Sequence, residues 1–251
     1  MSLPRPVSAL TAAALCAAVA LGPAQLASAS PSFAPAAPAD QLPSTDQLKA
    51  ALLTANDLGP QSGFTEVPST PSPGPGGNPS PVSGCDALSA LLNSHATPPP
   101  STVPHAETEL DGQDDNPMVS QSLTAGDLNQ VTADFAKAAD AFKACKTVTF
   151  DAGTPDETTF NVSPVTLGDR PDAPAVRLDG TLGGVQLNAY IGLERFGTVG
   201  MVFGFFQRDG SSSQAASMYY RTAVAKVERT LGTTAGATTP PTAVAAPGAA
   251  V

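Results

Sequence analysis

Apolar positions along this chain recur in two rhythms. From Asp127 to Cys145, Leu128, Val131, Phe135, Ala138, Phe142 and Cys145 return at alternating steps of three and four, the spacing of one buried helix face. Asp127 followed by Gln130 predicts an N-terminal cap, and the β-branched run Thr147-Val-Thr149 switches the pattern to strand. Further on, Val185, Leu187, Ala189, Ile191 and Leu193 share one side of an alternating segment. Gln186, Asn188, Tyr190 and Glu194 share the other. This period of two predicts a strand with one face wet.

The remaining elements fall between these two. Ser44 caps a short first helix with Leu48, Leu52 and Ala55 inward and Gly59-Pro60 as its stop. Phe64–Val67 reads as a brief extended piece. Residues 68–82 carry proline at every second or third place, which predicts an exposed loop. Ser83 to Asp86 has capping-box spacing ahead of a second helix with Cys85, Leu88, Leu91 and Leu92 on its apolar face. Extended segments follow at His105–Leu110 and Met118–Ala125, joined by the acidic tip Asp111–Asn116. Past the central helix come strands at Thr147–Phe150, Thr158–Pro164 and Val176–Asp179. Val199–Gln207 is apolar on both sides, as a central strand is, with gaps at Gly200 and Gly204. Ser211-Ser-Ser213 opens a last helix with Tyr220, Val224, Val227 and Leu231 inward, closed by Gly232. Short turns between successive strands favour an antiparallel sheet. The predicted fold is α+β, one domain over residues 43–231, with the helices packed on one face of the sheet.

The ends of the chain read as processing signal and linker. Arg5, an apolar run from Val7 to Leu21 and the small residues Ala27-Ser28-Ala29 predict a secretory signal peptide cleaved after Ala29. A lipid anchor at Cys16 is disfavoured, because Leu15 stands where a small residue is needed and the apolar run continues past it. Residues 30–42 read as a Pro/Ala-rich leader and 232–251 as a disordered tail. Secretion leaves Cys85 and Cys145 as an even pair in an oxidising setting, for which a disulfide is the default reading and two free thiols the alternative. Neither cysteine has the partners of a zinc site.

With 12 Lys+Arg against 22 Asp+Glu and no basic stripe, nucleic acid is excluded as a natural partner. No segment past the signal predicts a transmembrane helix. Catalytic signatures are missing: there is no GxSxG elbow, no SxxK and no HExxH. His95 and His105 are the two histidines, and His105 is the one candidate for a triad assembled in space. The acidic tip Asp111–Asn116 lacks the ligand spacing of an EF-hand and reads as a solvated hairpin end. Gly180–Gly184 lacks the Walker lysine and the dinucleotide spacing. No cofactor and no metal is expected. The polar side of Val185–Leu193, with Arg177 from the preceding strand, offers Arg177, Gln186, Asn188 and Tyr190 as a groove able to hydrogen-bond a ligand. An ordinary wet sheet face is the alternative.

The ordered set ALLTANDLGPQSGFTEVP, SGCDAL, DFAKAADAFKACKTV, VTLGD, AVRLDG, IGLERFG and AVAKVER resembles the PknH-like extracellular sensor domains of actinobacteria, over residues 48–229. The resemblance implies an α+β domain with a cleft in a sheet face, which binds a ligand and does not catalyse. It matches Cys85 and Cys145 to helix cysteines of that family. The chain differs from it in lacking a kinase domain, a membrane helix and a second disulfide. The reading is therefore a secreted, non-catalytic sensor or ligand-binding domain for a small-molecule or cell-envelope ligand. Its rivals are a secreted hydrolase working through His105 and a cell-surface protein-interaction module using the Pro-rich loop.

Overall fold

The computed structural model describes residues 42–59, 62–68, 82–95, 102–150 and 157–241. The signal peptide with its cleavage after Ala29, Cys16, most of the leader, the Pro-rich loop over 69–81 and the end of the tail lie outside them. The helices are α1 (Thr45–Ala51), α2 (Asp86–His95), α3 (Leu128–Ala144) and α4 (Ser213–Leu231). The strands are β1 (Thr65–Glu66), β2 (Val82–Ser83), β3 (His105–Asp111), β4 (Met118–Ala125), β5 (Thr147–Phe150), β6 (Thr158–Pro164), β7 (Ala175–Leu182), β8 (Val185–Phe196) and β9 (Val199–Arg208). They form one nine-stranded sheet in the order β1-β3-β4-β9-β8-β7-β6-β5-β2, antiparallel throughout. The α+β class and the antiparallel sheet expected from the sequence are those of the structure.

The expectation that helices cover one face needs correction. Alternate residues of the central strands enter two separate cores. Val199, Met201, Phe203 and Phe205 of β9 join Tyr190 and Phe196 of β8 beneath Leu48 and Leu52 and beneath Ala216, Tyr220, Ala223 and Val227 of α4. On the reverse face, Leu187, Ala189, Ile191 and Val202 join Val148, Val162, Val176 and Leu178 beneath Leu88 and Leu92 of α2 and Ala138 and Phe142 of α3. The two helix pairs are offset. α1 and α4 pack on β3, β8 and β9, whereas α3 packs on β6 to β9. The strands β8 and β9 are thus enclosed from both sides, which is why β9 reads as apolar on both faces.

Local signals account for most boundaries. Ser44 and Gln47 form a reciprocal capping box at α1. That helix stops at Ala51, earlier than the Gly59 stop expected. Leu52 turns extended, so both Leu52 and Leu53 drop into the core, and a 3-10 turn over Ala55–Leu58 follows. Asp127 caps α3 as expected, its Oδ1 accepting from the N–H groups of Asn129 and Gln130 at 2.9 and 3.2 Å. Ser83 does not cap α2; it pairs with Thr149 in β2, and the Cys85 carbonyl takes the first-turn bond from Ser89 N–H. Ser212 caps α4, and Gly232 ends it in the left-handed region.

Past Gly232 the chain is still held, so the tail boundary expected at residue 232 lies too early. Gly236 N–H donates to the Arg195 carbonyl at 2.7 Å, and Ala237 bridges to Phe196. A Cβ on Gly236 would run into the Arg170 guanidinium. Arg170 in turn pairs with Glu194 at 2.9 Å, a carboxylate 2% exposed.

Two features fasten the layers. Tyr220 is slotted between two glycines: a Cβ on Gly168 would meet its ring at 2.7 Å, and one on Gly192 at 2.6 Å. Its hydroxyl donates to the Leu193 carbonyl at 2.9 Å. Cys85 and Cys145 form a disulfide across 60 residues, tying the start of α2 to the end of α3.

Two outcomes follow. Closing a loop of that length stabilises by about 4 kcal/mol in the chain-entropy account; the Cys85→Ala/Cys145→Ala double variant should lose most of it in urea unfolding, and unchanged stability would mean that the helices dock without the bridge. Gly192→Ala drives a methyl into the Tyr220 ring and should cost about 1–3 kcal/mol, read from the shift in unfolding midpoint.

Candidate functional site

The β7–β8 register sets Arg177 opposite Tyr190, Asp179 opposite Asn188 and Thr181 opposite Gln186, so all six side chains share one face. Three of the four expected site residues meet. The Arg177 guanidinium carbon stands 5.7 Å from the Tyr190 ring centroid, a cation–π distance. Arg177 Nη2 donates to Asn188 Oδ1 at 3.1 Å. Asn188 Nδ2 donates to the Gly210 carbonyl, just ahead of α4. Gln186 stands apart at the exposed start of β8, holding Asp209 N–H through its backbone carbonyl.

The face is not the wet one that alternation predicts. Asn188 and Tyr190 are both 0% exposed, because α1 and α4 cover this side as far as β8. They form the floor of a corner, with Arg177 half-buried at its edge. Two members were not foreseen. Asp179 accepts from Arg177 Nε and Nη2 at 2.8 and 2.6 Å; its position two residues past Arg177 in one strand carried that signal. Gln207 lies opposite Asn188 on β9, a juxtaposition only the register reveals. Tyr190 Oη and Gln207 Oε1 are buried and have no hydrogen-bond partner. The Asp179 hydrogen bonds push the Arg177 guanidinium up, and burial pushes the Tyr190 hydroxyl up. The corner thus presents a fixed cation and a neutral phenol donor at neutral pH.

His105, the one candidate for catalysis, sits on the reverse face at the start of β3. Its Nδ1 meets Thr124 Oγ1 at 3.1 Å and its Nε2 meets Glu107 at 3.4 Å. This is a hydroxyl–imidazole–carboxylate row in which the hydroxyl, that of Thr124, is 2% exposed. The side chain of His95 lies outside the described residues. Among those described, no helix is long and apolar enough to cross a membrane. Neighbouring carboxylates on β3 diverge in acidity. The His105 hydrogen bond holds Glu107 below the usual range, whereas burial, with Asp111 and Glu107 adding, raises Glu109.

The crystal structure of the extracellular domain of PknH from Mycobacterium tuberculosis is similar at a TM-score of 0.49 and 17% sequence identity, over 76% of this chain and 98% of that one. No protein-family model matches the chain. No curated protein matches it either.

The raised Glu109 carboxyl fixes the sign of a pH effect. Between the ordinary value of 4.5 and its higher native value, only the folded state holds the proton, so stability falls as pH rises through that window. Glu109→Gln should therefore unfold at a higher temperature than the wild type at pH 7, with the gap closing below pH of about 4. Thermal melts across pH decide it; a lower melting temperature for the variant at pH 7 would show that the charge is stabilised in place.

Proposed function

We propose that the protein is a secreted, non-catalytic ligand-binding domain of the sensor type, and that Arg177, Asn188 and Tyr190 form its site, with Gln186 at the rim. The observation that carries this reading is the Tyr190 hydroxyl, buried without a partner beside a cation and an asparagine amide. Leaving a buried polar group unpaired costs about 1–3 kcal/mol. A hydrogen-bond acceptor on a small or cell-envelope ligand would recover that cost, with the Gln207 carbonyl free to take a donor from the same molecule. The Cys85–Cys145 bridge supports an oxidising, extracellular location. The ordered sequence set resembling PknH-like sensor domains supports the class of function.

The test is a thermal-shift screen of the mature chain against cell-envelope fragments, lipids and common metabolites. A ligand present at a hundred times its Kd stabilises the folded state by about 2.7 kcal/mol. Tyr190→Phe removes an unpaired hydroxyl and leaves the ring, so its own melting temperature should stay at or above that of the wild type. Its response to the ligand should fall, and Arg177→Ala should lose the response as well. A hit that stabilises Tyr190→Phe as strongly as the wild type would remove this corner as the site.

A further inference from the structure

The reverse face has a quarter over β3 that lies beyond β6 to β9, the strands on which α3 packs; Glu107 is exposed there, whereas Ser120, Ser122 and Thr124 of the adjoining β4 are buried. Strand alternation puts His105, Glu107, Glu109 and Asp111 of β3 on this side, opposite Thr124, Ser122, Ser120 and Met118 of β4. On β9 the neighbours of Ser120 and Thr124 are Gly204 and Gly200. Small residues thus form a floor between the longer side chains of β3 and the apolar core beneath α3. Three groups there lack partners. Ser122 is 2% exposed and its Oγ makes no hydrogen bond. Asp111 Oδ1 is buried and equally unpartnered. Among the described residues, no ion pair reaches Glu109 or Asp111. The arginine at the adjoining end of β9, Arg208, directs Nη2 to the carbonyls of Asp114 and Asp115 at 2.5 and 3.3 Å.

We propose that this quarter, with Glu107, Glu109 and Asp111 as a row of carboxylates and Ser122 Oγ as a buried acceptor behind it, binds a linear organic diamine. Charge decides the sign of the ligand: Glu109 and Asp111, which no ion pair reaches, take a cation, and an ammonium brings the three donors that unpaired acceptors lack. Glu107 already meets His105 at 3.4 Å and adds a third carboxylate at the entry. Spacing decides its shape. Alternate residues of an extended strand stand about 6.8 Å apart, whereas oxygen ligands of one metal ion lie within about 2.6 Å of it. Carboxylates set in such a row suit separated ammonium groups on an extended chain better than a single point charge. Glu107, with its side chain 47% exposed, gives the entry, and half-buried Glu109 and Asp111 lie deeper. The raised Glu109 carboxyl agrees with this, since a bound ammonium would relieve both burial and repulsion.

The experiment is calorimetric titration of the mature chain with cadaverine, beside n-pentylamine and magnesium chloride at matched ionic strength. Cadaverine should bind saturably, and pentylamine, with one ammonium, on the order of tenfold more weakly. Glu109→Gln should weaken cadaverine on the order of tenfold, and Ser122→Ala by a few-fold, about 1 kcal/mol or less, with no loss of melting temperature. Glu107→Gln is the second carboxylate variant and should behave like Glu109→Gln. Arg177→Ala and Tyr190→Phe, on the other face, should leave cadaverine binding unchanged, which keeps this site's failure distinct from that of the Tyr190 corner. Absence of saturable heat, an equal effect of magnesium chloride, or undiminished binding by both carboxylate variants would overturn the proposal.

Discussion

A nine-stranded sheet has two faces to bury, and the four helices of the described residues must cover both. Each helix pair therefore covers part of one face, and the pairs are offset so that they overlap across β8 and β9. Those two strands carry the burden of the fold. Every residue of β8 from Leu187 to Glu194 is buried, so an error in its register would move apolar and polar side chains together to the wrong side. The Tyr220 slot acts on this constraint. Its ring enters the gap left by Gly168 and Gly192, and its hydroxyl bonds the backbone of β8 itself, which fixes α4 along the strand as well as against it.

The same offset leaves each face with a polar part, and the two lie on either side of the β9–β8 pair. Over β7 the chain places Arg177 and Asp179; over β3 it places Glu107, Glu109 and Asp111, with His105 beside the first of them. Unpartnered buried atoms occur in both parts, at Tyr190, Gln207, Ser122 and Asp111. Each is a cost on the order of 1–3 kcal/mol when left unpaired, comparable with the net stability of a small domain spread over a few such groups. Interior packing of the two cores has to offset this. An apolar replacement of the same shape, such as phenylalanine for Tyr190, would remove the cost without opening a cavity.

Much of this was legible in the residues. The seam of α3, its Asp127 cap, the positions of β3 to β9 and the Gly232 stop all follow from local spacing, because each depends on neighbours within a few residues. Pairing of Cys85 with Cys145 followed from counting. What local spacing does not carry is which helix lands on which side. Gln186, Asn188, Tyr190 and Glu194 look like a wet face by type, yet the last three are enclosed. Asn188 is satisfied by Arg177 and Gly210, and Glu194 by Arg170, partners 22 residues or more away for Gly210 and Arg170. The Leu52–Leu53 break in the first helix is similar: the helix stops at Ala51, and the extended backbone at Leu52 carries both leucines into the core between α4 and the sheet.

Glu194 shows how far tertiary context overrides residue type. Burial raises its carboxyl in spite of the Arg170 guanidinium and the Arg195 N–H, so attraction does not repay the full loss of water. The arrangement persists because Arg170 is itself held from three directions, by Glu194, by Asp172 and by the close approach of Gly236. A tail that sequence composition would dismiss is thus part of the cage around a buried charge. The sheet separates this cage and the Tyr190 corner from the β3 acids, so a small molecule bound at one polar part has no direct contact with the other. Any influence between them has to pass through β8 and β9, the strands that both cores share.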